Sequence, residues 1–143
     1  MNNIGLLFFR ISVSLLMIGV HGLPKFNRLF SGDEIKFFDP FGIGAAASLS
    51  LAVFSELFLS IFIILGIFTR LSSVGLIITM FIAAFLYHAE DPFRVKEKAI
   101  LFLISYIFIF ITGPGRLALQ NFIDSKIQLK NTLSFYSLNS TSI

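Results

Sequence analysis

Residues 52–71 read "AVFSELFLSIFIILGIFTRL", and the reading of this stretch decides the fold. It is continuously apolar, without the period-2 alternation of a half-buried strand, so it reads as helix. About 20 such residues cross about 30 Å of hydrocarbon at 1.5 Å per residue. Only helices and closed barrels satisfy their backbone polar groups in lipid. Arg70 sits at its end, where a span can stop. Glu56 does not: it lies near the middle of the wider apolar run 43–68, where an acidic side chain costs roughly 2.5–3.5 kcal/mol. Its carboxylate therefore requires a partner inside the protein.

Working outward, three more runs of this kind appear. The expected spans are residues 4–23, 43–68, 71–88 and 96–112. The first is stopped by "GLPK" and the last by "GPG". The fold class expected is all-α: an integral membrane four-helix transmembrane bundle over residues 1–119, with a short C-terminal amphipathic segment. Residues 120–143 read as a tail, Ser- and Asn-rich at its end and partly disordered. The start, "MNNIGLLFFRISVSLLMIGV", has no cation before its apolar stretch and Arg10 inside it, so it reads as a retained span rather than a cleaved signal. The segment "PKFNRLFSGDEIKFFDPFG" (24–42) mixes charges with five phenylalanines. That mixture suits a loop at headgroup level; a lid over a site is the sharper reading.

Composition agrees. The chain is 56% hydrophobic and only 13% charged over 143 residues, with a mean hydropathy of +0.89. Soluble domains carry about 25% charged residues. The net charge is +3, with no basic patch interleaved with aromatics in a soluble region, so nucleic acid is not an expected partner; the lipid bilayer is. Without cysteine there is no disulfide, thiolate nucleophile or Cys-ligated cluster. Two histidines do not supply a multi-histidine metal site within one chain, and no metal is expected. No intrinsic cofactor motif, Walker loop or hydrolase triad is present.

The buried polar residues supply the candidate sites. Arg10, Ser14, Met17 and His21 recur on one stripe of span one. Arg10 and Glu56 fall at similar depth if spans one and two are antiparallel. An Arg10–Glu56 pair is then the cheapest account of both, either a structural ion pair or a proton relay. His21 and Lys25 end span one, His88 ends span three, and Glu97 begins span four. These four form a polar mouth, wet and interfacial on one reading, a contact for a quinone or another small substrate on the other.

The ordered set Arg10, Gly22 with Lys25 in "HGLPKF", Glu56 followed by Gly66 and Arg70 in "SELFLSIFIILGIFTRLSS", then Gly113, Pro114 and Gly115 in "GPGRLAL" resembles the DoxX family of small bacterial four-helix membrane proteins. The family's close often continues with Ser and Asp; here Ala118 and Gln120 stand in those places. The resemblance implies an inner-membrane location and a link to redox systems, including quinone-linked, thiosulfate-type oxidoreductases. The leading functional expectation is a membrane subunit of such a system, with quinone as ligand and a separate redox protein as partner. Under it, Glu56 and Arg10 would carry a proton. The alternative is a non-enzymatic scaffold, chaperone or small-molecule-binding protein. Both termini are expected in the cytoplasm, and a homo-oligomer is compatible with the sequence.

Overall fold

In the computed structural model, residues 3–128 are described. They form helices α1 (Asn3–Leu29), α2 (Ala45–Leu65), α3 (Thr69–Tyr87) and α4 (Phe93–Thr112), then a short α5 over residues 119–128; no strand occurs among the described residues. The helices run up and down, with α1 on α2, α2 on α3, and α3 on α4. Met17, Ile63, Leu76, Leu103, Tyr106 and Ile109 form the common core. The outward faces carry exposed apolar side chains such as Phe8, Leu15, Leu51, Ile78 and Ile111. A belt of this extent is a liability in water and ordinary in lipid.

Three helices, α1, α2 and α3, are long and apolar enough to cross a membrane. Four spans were expected, and α4 departs from that pattern. Its first turns carry Arg94, Lys96, Glu97 and Lys98, which shortens its apolar part to residues 99–111.

Span one also differs from expectation. "GLPK" does not stop it; the helix continues to Leu29. The reason is a π-helical turn at Ile18–Gly22, where the Leu23 N–H reaches back to the Ile18 carbonyl. Proline lacks an N–H and crowds the carbonyl four residues back. The wider turn just before Pro24 removes that conflict. The true connection to α2 is therefore shorter, residues 30–44, and Lys25 rides on the helix rather than in the loop.

α2 ends at Gly66, whose φ of +73° caps it in the left-handed conformation. The Ile67 N–H closes the turn on the Phe62 carbonyl at 3.0 Å. Phe68, with φ +46°, is the one non-glycine residue at positive φ among those described. Its N–H is held by the side-chain carbonyl of Gln120 at 3.1 Å. The tail assigned to residues 120–143 is thus helical as far as 128; the remainder lies outside the described residues.

Candidate functional site: an intramembrane cavity with a paired carboxylate

Glu56 is 1% exposed, and its Oε1 is paired with the Lys25 ammonium. The expected Arg10–Glu56 pair does not form. The contacts that set the register explain why. Gly22 of α1 lies against the Glu56 backbone, where a Cβ would sit 3.2 Å from its carbonyl carbon and oxygen. Arg10 lies against Gly66, where a Cβ would collide with Nη1. Arg10 and Glu56 are therefore separated along the bundle by about ten residues of rise, roughly 15 Å. Because α1 does not stop at Leu23, Lys25 stands about one turn beyond Gly22 on the helix and reaches the carboxylate instead.

Arg10, 1% exposed, has a different task. Its Nη1 donates to the Pro114 carbonyl and its Nη2 to the Leu117 carbonyl, both at 2.6 Å. Gly113 and Gly115 (φ +72° each) turn the chain so that these carbonyls face the guanidinium. Arg70 lies against Gly113, and Ala118 packs over Gly66. The residues of the sequence pattern thus sort into two assemblies. Arg10, Gly66, Arg70 and Gly113-Pro114-Gly115 lock the end of the bundle that holds the N-terminus. Gly22, Lys25 and Glu56 build the other half.

That other half contains a cavity of about 620 Å³. His21, Lys25, Glu56 and His88 all line it. Glu97 does not; it is exposed, and Lys98 beside it faces the cavity instead. Most of the wall is aliphatic and aromatic, with Leu51, Leu59, Ile78 and Phe102 among its members. The His21 ring packs edge-on against Phe102 at 5.5 Å. The His88 Nδ1 is 2.7 Å from Asp91 Oδ2. π-helical turns recur here: Ile18–Gly22, Phe54–Leu59 and Ala83–Tyr87 each contribute lining residues. The turn in α2 carries Ser55 and Glu56 inward together, 5% and 1% exposed. Such turns gather at functional sites. Among the described residues, no three His, Cys, Asp or Glu side chains converge as metal ligands do.

The 30–44 connection forms part of the cavity wall, and of the five phenylalanines in 24–42 only Phe26 and Phe30 stand outside it. Phe37, Phe38 and Phe41 line the cavity. The Phe37 ring lies 5.9 Å from Lys25 Nζ, and Phe38 meets Tyr87 at 5.4 Å. Arg28 donates to the Lys36 carbonyl. The end of the loop is tied down by Asp39, which accepts hydrogen bonds from Ser48 Oγ (2.7 Å), Gly44 N–H (2.7 Å) and Ile43 N–H (3.2 Å). Sequence reasoning passed over Asp39; its position a few residues before a glycine-started helix was the available signal.

The Ser48 hydroxyl, aided by the two backbone N–H groups, holds the Asp39 carboxyl below the usual carboxylate range. A carboxylate depressed in the docked loop stabilises docking above its ordinary pKa of about 3.9 and loses that contribution as pH falls through the lowered value. Limited proteolysis of the 30–44 loop is therefore expected to be flat from pH 8 to 5 and to accelerate only below about pH 4. Asp39→Asn should be cut faster already at pH 7 and show no acid step.

The DoxX family model matches residues 5–89, which is more than half of the chain. An uncharacterized protein of Haemophilus influenzae is 27% identical over 121 residues, covering 80% of each chain. No solved structure matches significantly. The matched stretch carries Arg10, Gly22, Lys25, Glu56, Gly66 and Arg70, the helical parts of both assemblies, and this membrane protein belongs to the DoxX family.

Proposed function

We propose that the protein is the membrane subunit of a quinone-linked oxidoreductase system of the bacterial inner membrane, and that the cavity holds the quinone headgroup. The observation that carries this reading is a mostly apolar cavity of about 620 Å³ with one buried ion pair on its wall. Sites for small organic ligands are commonly about 300–1,000 Å³, apolar, with a few convergent polar groups. The residues fit such a group. Lys25 keeps donors beyond the one given to Glu56, and Glu56 Oε2 is buried without a partner. Lys25 would donate to a headgroup oxygen. Glu56 would accept a hydrogen bond or proton from a headgroup hydroxyl. Phe37, Phe38 and Phe41 would exclude water. When bound, the quinone supplies the redox chemistry; a partner protein is the other electron carrier. In this reading α4 is the fourth span, its charged turns lie at the headgroups, and both termini are cytoplasmic.

The test is binding of a short-chain quinone to the protein in nanodiscs. Glu56→Gln and Lys25→Gln are each expected to weaken it about tenfold, the order of one charge-assisted hydrogen bond. Ala52→Trp, which fills the cavity, should abolish it. Binding that ignores all three substitutions would remove quinone from the site and favour a non-enzymatic binder or scaffold.

A further inference from the structure

Below the cavity, the bundle interior is unusually polar. Glu56 Oε2, Ser60 Oγ, Tyr106 Oη and Ser14 Oγ are buried, and none makes a hydrogen bond of normal geometry with another protein group. Their residues are 1%, 0%, 0% and 0% exposed. Arg10 Nε is also unpartnered. A polar group left alone in a core costs about 1–3 kcal/mol, so three hydroxyls and a carboxylate oxygen on three packed helices need an explanation.

Their placement supplies one. Ser60 is one helical turn from Glu56, on the side away from the cavity. Ser14 is one turn from Arg10, on the side towards it. With Gly22 opposite Glu56 and Arg10 opposite Gly66, the order along the bundle is Glu56, Ser60, Ser14, Arg10, with about 6 Å of rise for Glu56–Ser60 and for Ser14–Arg10 and about 3–6 Å for Ser60–Ser14. Tyr106 of α4 packs in the core cluster with Met17 and Ile63, the residues one turn from Ser14 and Ser60 on their helices. Buried polar groups left without protein partners are commonly joined by a buried water, which typically makes about three hydrogen bonds.

We propose that Glu56, Ser60, Tyr106 and Ser14, with the waters they bind, form a proton path from the cavity towards the N-terminal end of the bundle, and that Arg10 closes its far end. The closure follows from electrostatics. A fixed guanidinium across a narrow polar path repels protons, as arginines do in water-selective pores. Pinned to the Pro114 and Leu117 carbonyls, Arg10 cannot swing aside while that loop is in place. The path does not depend on which ligand the cavity holds, so its test needs no quinone.

The full chain is reconstituted in liposomes carrying an entrapped pH dye, and a potassium diffusion potential is imposed with valinomycin. Wild type is expected to be proton-tight. Arg10→Gln, which removes the charge, should leak about tenfold faster. Adding Tyr106→Phe to Arg10→Gln should stop the leak, whereas a leak from a damaged bundle would persist. A fast wild-type leak, a tight Arg10→Gln, or a leak unchanged by Tyr106→Phe overturns the proposal. Should Arg10→Gln fail to insert, radiolytic footprinting of the wild-type protein decides. Radicals formed from bound water should oxidise Tyr106 despite its burial, and Ser60→Ala should suppress that labelling. Tyr106 as inert as the equally buried Ile109 overturns it.

Discussion

Lys25→Met is expected to destabilise the protein by about 3–5 kcal/mol, the cost of leaving a buried carboxylate without its counter-ion. Glu56 is 1% exposed, whereas the Lys25 side chain is 27% exposed. The loss is therefore asymmetric. Removing the carboxylate instead (Glu56→Gln) releases the ammonium towards the cavity mouth and should cost less. Replacing both, Lys25→Met with Glu56→Leu, should recover most of the loss, because a well-packed apolar pair avoids the desolvation that the ion pair must overcome. Reversible unfolding in mixed micelles measures all three. The coupling between Lys25 and Glu56 should be several kcal/mol, while that between Arg10 and Glu56, which share no contact, should lie within about 0.5 kcal/mol of zero. A large Arg10–Glu56 coupling would restore the pairing that the antiparallel register rules out.

Arg10→Lys should be nearly as damaging as Arg10→Leu, each costing about 2–5 kcal/mol from two stranded carbonyls. The guanidinium fork reaches Pro114 O and Leu117 O at once, each at 2.6 Å. One ammonium on a flexible stem does not reproduce that geometry. The readout is local. Protease sensitivity of residues 113–118 should rise in both variants, and cavity ligand binding should change little, since Arg10 does not line the cavity. Full retention of stability in Arg10→Lys would show that charge alone, not the two-pronged bond, secures the loop.

The sequence conveyed that Glu56 points inwards, because a carboxylate in an apolar run has few other places to go. It conveyed the Arg10–Ser14–Met17–His21 stripe for the same reason, and three of those four are fully buried. It did not convey the partner of Glu56. Proline at position 24 reads as a stop only if the preceding turn is α-helical. A π turn is invisible to a 3.6-residue period, and its presence moved Lys25 from the loop onto the helix that faces Glu56. The hydroxyls of Ser14, Ser60 and Tyr106 were equally hard to weigh. Singly, such groups satisfy themselves on their own helix. They acquire meaning only when three helices pack together. Glu97 was placed at the mouth by span order alone. One residue of helical phase puts Lys98 there instead.

The family pattern looked like a string of separate signals and is two assemblies. Arg10, Gly66, Arg70 and the Gly113-Pro114-Gly115 turn belong to one end, and Gly22, Lys25 and Glu56 to the other. Ala118 and Gln120, which depart from the usual Ser and Asp, still serve the first assembly. Ala118 packs on the Gly66 turn, and Gln120 holds the Phe68 N–H.

The central claim is that the cavity around the Lys25–Glu56 pair is the ligand site. Photo-crosslinking with an azido-quinone in native-like membranes tests it most directly. Adducts are predicted on cavity residues such as His21, Phe37 and Phe102, competed by unlabelled quinone and reduced in Lys25→Gln. Adducts confined to outward residues such as Phe8, Leu15 and Ile111, indifferent to competitor and to Lys25→Gln, would contradict it.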